Sequence, residues 1–388
     1  MKASFAHCRP APLPGAATRL LAVGLMGAGL LVAAPLAIAQ SRSPDDSDPP
    51  RRSALRWPNV LDQPDRWYAG EEARRIADNV LLYQNLNGGW PKNIDMARPL
   101  SEAEAQRVEA NRRRSETIID NGATHTQIRY LALVHNAAGD PKYAAAYRRG
   151  IEFLLAAQYD NGGWPMIYPL QRGYYSHITF NDGAMVGVMR LLRDVAQAKP
   201  PFQSADEELR RRAGAAVAKG LEAMLKCQIV VDGVPTAWCA QHDEHDFSPA
   251  KARTYELPSI SGQESVGVVQ YLMSIDEPSP EVRAAVRHAV AWFDAAKITG
   301  MRIQRVPAPE RDPPRDVVMV ADPAAGPLWA RFYEIGTNRP MFVGRDGVVH
   351  DRLADIEHER RMGYAYVGPW ARDLLDRDYP AWQRKWGD

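Results

Sequence analysis

The chain has 388 residues, with 48 Lys and Arg against 47 Asp and Glu and a net charge of +1. That balance argues against a nucleic-acid binder, which normally carries a strong basic excess, and it requires any acidic ligand to be held by a local cluster. Hydrophobic residues make up 45% of the chain, enough for a sizeable core.

In chain order, basic Lys2, Arg9 and Arg19 accompany the apolar run Leu20 to Leu36, and Ala37-Ile38-Ala39 supplies a small-x-small cleavage pattern before Gln40. Residues 1–39 therefore read as an export signal, with a membrane anchor as the weaker alternative. No later stretch is long and apolar enough to span a bilayer, so the mature protein is expected outside the cytoplasm, in periplasm or medium, and free of the membrane. Residues 40–58 are rich in Ser, Pro, Asp and Arg and read as a flexible linker. Residues 59–388 read as one domain, expected to act as a monomer.

An internal repeat organises that domain. Leu81-Leu-Tyr-Gln84 leads into Asn87-Gly-Gly-Trp-Pro91, and Leu155-Ala-Ala-Gln158 leads into Asn161-Gly-Gly-Trp-Pro165, 74 residues further on. A weaker third copy runs from Leu225-Lys-Cys-Gln228 through Gly233 to Trp238. Each copy ends an amphipathic helix, for example 144–157 with Tyr147, Ile151, Leu154 and Leu155 on one stripe. The glycine pair stops the helix and Trp-Pro starts an extended segment.

A second motif recurs out of phase. Asp120-Asn-Gly-Ala123, Asn181-Asp-Gly-Ala184 and Ser259-Ile-Ser-Gly-Gln-Glu-Ser265 each precede an apolar helix, and Asp, Asn and Ser are good helix caps. Helix pairs with glycine-containing turns, about 70 residues apart, predict an all-α fold. Its form is an (α/α) toroid of helical hairpins with a few short strands.

At equivalent points of a toroid, Asp120, Asn121, Asn181 and Asp182 converge on one end of the ring. Two carboxylates and two amide carbonyls suit a hard cation such as calcium; the alternative is that they only cap helices. Lys251, Arg253, Arg331, Arg339 and Arg345 lie in segments punctuated by Gly and Pro. Arginine grips carboxylates through a bidentate fork, so an anionic polymer is a natural ligand. The alternative is ordinary pairing with Glu256, Glu334 and Asp346. Trp90, Trp164, Tyr174, Tyr175 and Trp238 fall in or beside the turns, where rings could stack on sugars, although Trp90 and Trp164 could equally clamp repeat to repeat in the core.

Other chemistries find little support. His242-Asp-Glu-His245 lacks the His-Glu-x-x-His spacing of a zinc helix, and there is no nucleophile elbow, phosphate loop or dinucleotide fingerprint. Cys227 and Cys239 flank a predicted hairpin, and in an oxidising compartment both a disulfide and two buried thiols remain open.

Four segments, Asn87-Gly-Gly-Trp-Pro-Lys-Asn93, Thr117-Ile-Ile-Asp-Asn-Gly-Ala-Thr124, Ile178-Thr-Phe-Asn-Asp-Gly-Ala-Met185 and Ala252-Arg-Thr-Tyr-Glu-Leu-Pro258, resemble those of family ten of the polysaccharide lyases. So do Trp238-Cys-Ala-Gln-His-Asp243, Ser259-Ile-Ser-Gly-Gln-Glu264 and Leu328-Trp-Ala-Arg-Phe-Tyr-Glu334. Members are pectate lyases, and the likeness runs from about residue 60 to the C-terminus. The resemblance implies a helical toroid, calcium as cofactor, and polygalacturonate cut by β-elimination to 4,5-unsaturated oligogalacturonides. By motif, Asp120, Asn121 and Asp182 resemble calcium-site residues and Arg253 the catalytic base. Arg331 and Arg345 resemble substrate-binding arginines, with Arg339 competing for that role. Lys92 and Lys251 join them as weaker substrate-binding candidates from the residues alone, with Trp164 and Tyr174 as sugar-stacking ones. Two other enzyme classes share such toroids. A triterpene cyclase would need an Asp-x-Asp-Asp acid motif, which is absent; an inverting glycoside hydrolase could use Glu264 and Asp182 as acid and base. A silent polyuronate-binding protein is the third alternative.

Overall fold

Eight helices make up the body of the protein in the computed structural model, which describes residues 55–113 and 116–387. They are α1 (Glu71–Tyr83), α2 (Glu102–Asn111), α3 (His125–Ala138), α4 (Pro141–Ala157), α5 (Ala184–Ala196), α6 (Glu207–Lys226), α7 (Glu264–Met273) and α8 (Pro280–Ala296). Short helices α9 (His358–Gly363) and α10 (Tyr379–Trp386) lie near the C-terminal end. The predicted export signal and residues 40–54 of the predicted linker lie outside the described residues. Among its last residues, Leu55 and Trp57 already pack against the core, so the folded body includes them.

Capping sets the helix starts. Asp140 accepts from the Lys142 amide at 2.9 Å and Asp206 from the Leu209 amide at 2.9 Å. Pro141 takes the first helical position of α4, where its missing N–H is harmless. The helix predicted over 144–157 therefore begins three residues earlier. Ser101 and Glu104 form a reciprocal capping box on α2.

Consecutive helices pair: α3 packs on α4, α5 on α6 and α7 on α8, while α1, α3, α5 and α7 contact one another in series. The fold is thus helical with short antiparallel ladders, most of them two residues long. One hairpin departs from that expectation. Met301–Pro307 pairs with Arg315–Ala321 over seven residues, around a Pro-rich connection. No helix among the described residues is long and apolar enough to cross a membrane.

The repeat is a structural clamp. Trp90, Trp164 and Trp238 are fully buried, and their indole N–H groups donate to the carbonyls of Val80 (2.8 Å), Leu154 (2.8 Å) and Met224 (2.7 Å) in the preceding helix. Trp329 repeats the contact with the Phe293 carbonyl at 2.9 Å, a fourth copy that the sequence pattern did not disclose. The glutamines are equally regular. Gln84, Gln158 and Gln228 each bridge their own turn to a helix of the next unit, through the carbonyls of Gly88 and Ala146, Gly162 and Ala216, and Thr236 and Ala285. The rings need room: a Cβ on Gly150 would meet Trp90 Cζ3 at 2.8 Å, and one on Gly220 would meet Trp164 Cζ3 at 2.9 Å.

Gln84 is completely buried and also accepts from Arg149 at 2.6 Å. Gln84→Ala strands two backbone carbonyls and a guanidinium, at roughly 2–4 kcal/mol for the buried groups left unpaired. In urea titration the unfolding free energy should fall by that amount, with a lower midpoint and no change in slope; a loss under about 0.5 kcal/mol would contradict the clamp.

Candidate active site

Two turns build the floor of the cleft. In Asp120–Gly122 and Asn181–Gly183 the middle residue adopts left-handed backbone angles: Asn121 at φ 53°, ψ 36° and Asp182 at φ 47°, ψ 30°. Asn and Asp tolerate this region better than other side chains, but it still costs about 1–3 kcal/mol. The strain has a geometric result. All four residues line the cleft; the first of each turn, Asp120 or Asn181, is buried, and the second, Asn121 or Asp182, is more exposed.

The Asn181 amide ties the turns together, donating to Asp120 Oδ1 at 3.0 Å and to Asp182 Oδ2 at 3.1 Å. The two accepting oxygens therefore lie within about 6 Å of each other. Lys92 Nζ pairs with the other oxygen of Asp120. Arg331 Nη2 donates to Asp182 Oδ1 at 3.1 Å and to Glu264 Oε1 at 2.5 Å, and Glu264 in turn accepts from the Ser261 hydroxyl. The result is an alternating string of charge across three turns. Removal from water is the largest influence on Asp182 and pushes its pKa up; Glu264 and Asp120 add to the rise, and Arg331 opposes it. Asp120 and Asp182, joined by the Asn181 amide and flanked by Asn121, carry oxygen donors of the kind a hard divalent cation takes, once their present partners are exchanged for the ion.

Arg253 stands on the wall of the same cleft. Its Nε donates to Glu256 Oε2 at 2.7 Å, its Nη2 pairs with Glu256 Oε1, and Tyr364 donates to that same oxygen at 2.9 Å. Burial disfavours the Arg253 charge, but the bond and attraction to Glu256 outweigh it and raise the pKa, so the guanidinium is a cation here. Aromatic rings hold the basic groups in place: the Arg331 guanidinium lies 4.4 Å from the Tyr364 ring centre, and that of Arg253 lies 4.9 Å from Tyr255.

The cleft brings together Asp120, Asn121, Asp182, Lys92, Tyr174 and Arg253, with Arg331 directly beneath Asp182. Tyr174 packs against Tyr175 with ring centres 4.2 Å apart. Lys251 is exposed beside Ala250 and Ala252, which line the cleft. Arg345 lies outside the lining, 5.8 Å from the Tyr255 ring and paired with Glu359. Arg339 also stands outside it, committed to Glu334 and Asp351. The sugar-stacking expectation for Trp164 is corrected: its ring has no exposed surface and its N–H is spent on Leu154, so it serves as the repeat clamp.

Sequence reasoning named Glu256 only as an ordinary partner for the arginines and Glu264 only for the alternative hydrolase. Both occur inside the motifs that supplied Arg253 and the third turn, but only the folded chain shows what they grip. Gln241, another lining residue, sits on the strand Gln241–His242 that pairs with Ile178–Thr179. The histidine pair is no zinc site: His242 is buried, its ring nitrogens engage the Cys239 amide and the Phe247 carbonyl, and burial lowers its pKa to about 4. A separate acidic group that could hold a metal, His177, Asp243 and Glu244, has its donor atoms within 4.8 Å of one another. Cys227 and Cys239 are buried free thiols, and burial raises the pKa of each.

Comparison with known proteins gives the family. A family model described as pectic acid lyase matches residues 84–375. Among solved structures, a family 10 polysaccharide lyase from Cellvibrio cellulosa is 35% identical with a TM-score of 0.71, covering 84% of this chain and 94% of that one. A mutant of the Cellvibrio cellulosa enzyme in complex with trigalacturonic acid aligns with the same identity and TM-score over 84% of this chain and 96% of that one. No curated protein matches the chain. The matched stretch takes in both αL turns, the Arg253 wall and Arg331, and this chain belongs to the pectic acid lyase family as a pectate lyase.

Proposed function

We propose that the cleft cleaves α-1,4-linked polygalacturonate by β-elimination, with calcium held by Asp120, Asn121 and Asp182. One observation carries the reading: the Asn181 amide gathers two carboxylates in a cleft walled by Arg253, with the buried Arg331 bonded to Asp182 behind the lining. The trigalacturonic acid bound to the Cellvibrio relative supports the choice of substrate. A calcium ion bound there supplies positive charge that draws electrons from the uronate carboxylate and acidifies the neighbouring C5 proton.

The residues of the chain do the rest. Lys92 and Arg331 add cationic charge around the uronate, and Tyr174 borders the sugar. Arg253 takes the proton from C5; the C–H electron pair forms the C4=C5 double bond, the C4–O bond breaks, and the leaving oxygen takes a proton from solvent. To accept that proton Arg253 must first lose its own. This requires the Glu256 pair to open and the surrounding cations to disfavour the charged form. The product absorbs in the ultraviolet and no water is consumed. An inverting hydrolase using Glu264 and Asp182 is disfavoured, because both accept from one Arg331 nitrogen and lie no more than about 5.6 Å apart, below the roughly 6.5–9.5 Å that such enzymes need.

The serial packing of helix pairs supports an (α/α) toroid of helical hairpins, and the residue 1–39 pattern supports export to the periplasm or medium. We take the mature protein to act as a monomer.

Absorbance on polygalacturonate with and without chelator tests the core of the reading: signal in calcium and none in chelator is expected, and no signal in either would overturn it. Arg253→Ala should cost at least about 100-fold in turnover with the fold intact by circular dichroism; substantial residual activity would reject the base. Asp182→Ala should weaken calcium binding about 10- to 100-fold by calorimetry, with activity partly restored at high calcium, and an unchanged affinity would remove Asp182 from the ligand set. Because Glu256 raises the Arg253 pKa, Glu256→Gln should lower it. The alkaline-side rise of kcat/KM would then move to lower pH; a profile that stays in place would mean Arg253 is not the group titrating.

A further inference from the structure

The cleft does not end at Asn121. Lys92, Asn93 and Asn121 also line a second cavity, whose remaining wall includes Arg56, Trp57, Asp95 and Gln127. We infer that this second cavity is a distal sugar subsite in which Arg56 and Gln127 bind a uronate carboxylate and Trp57 borders the sugar ring. The inference rests on the polygalacturonate reading above and extends it beyond the reacting sugars, to Gln127 and to Arg56 and Trp57, which the sequence placed in a linker.

Four features carry it. Gln127 is 2% exposed, yet its amide nitrogen reaches Met96 Sδ at 3.8 Å, and a thioether is a weak acceptor. A buried amide donor so poorly satisfied is poised for an anionic oxygen. Arg56 has 76% of its side chain exposed and touches Asp95 through Nε at 3.4 Å, a weak surface pair that a better-placed carboxylate can replace. Asp95 also accepts from the backbone amides of Trp57 at 2.9 Å and Ala97 at 3.3 Å, so it stays hydrogen-bonded when a uronate draws Arg56 away. It anchors the segment that presents Arg56 and Trp57. Trp57 meets Tyr130 edge-on with ring centres 5.5 Å apart, which makes it a rigid platform rather than a loose side chain. Every sugar of a polyuronate carries a carboxylate, so a chain running from Arg253 past Asn121 brings one to this cavity.

The test is a length series of oligogalacturonates, trimer to octamer, with wild type, Arg56→Ala and Arg56→Glu. For wild type, KM should fall with length until the second cavity is filled. Arg56→Glu should lose that gain and raise KM for the octamer about five- to twenty-fold, several-fold more than for the trimer; Arg56→Ala should lie between. An equal change at every length, or curves parallel to wild type, would overturn the subsite. Calorimetric binding of the octamer separates this from the lyase reading: Arg56→Glu should weaken it whether or not turnover is seen. Absence of an unsaturated product from wild type would sink the lyase reading and leave the binding comparison to decide the subsite.

Discussion

One amide group organises this cleft. The Asn181 side chain donates to both Asp120 and Asp182 and so holds two carboxylates, from turns 61 residues apart, at a separation where neither is comfortable without positive charge. The arrangement depends on left-handed backbone at Asn121 and Asp182. In an ordinary helical turn the second residue would follow the helix, and its side chain would not face the cleft. The strain is small beside the stability of the helices that follow, and those helices hold it in place.

The charge that gathers there is answered from outside the two turns. Lys92 meets Asp120 from the first Trp-Pro segment, and Arg331 reaches Asp182 and Glu264 from the C-terminal third of the chain. Arg253 is held by Glu256 and Tyr364 in a separate but adjoining set. Each cation thus has a carboxylate partner, and a polyuronate with its counter-cation would exchange partners with them rather than meet bare charge. Such an exchange limits the desolvation that binding must overcome.

The tryptophan and glutamine clamps explain how so polar a cleft stays rigid. Each indole N–H and each glutamine amide closes a backbone carbonyl where a helix ends and an extended segment begins. Repeat stacks on repeat with the buried polar groups of these joints satisfied, and the turns carrying Asp120 and Asn181 inherit a fixed spacing from that stack.

Much was legible in the sequence by itself. Period-74 Gln and Trp-Pro motifs disclosed repeated helix pairs, and the two Asp/Asn-Gly turns disclosed where oxygen donors would gather, because local chemistry dictates caps and glycine breaks within a few residues. Tertiary structure decided the rest. Whether a tryptophan beside a turn faces a sugar or the core depends on what packs behind it, and Gly150 and Gly220 bring helices close enough to take Trp90 and Trp164 inside. Which arginines reach the cleft was equally beyond local pattern: Arg331 enters from 149 residues after Asp182, while Arg339, eight positions on, is drawn off by Glu334 and Asp351. Ion pairing follows distances in space, and a linear chain with four candidate arginines in similar segments does not contain those distances until it has folded.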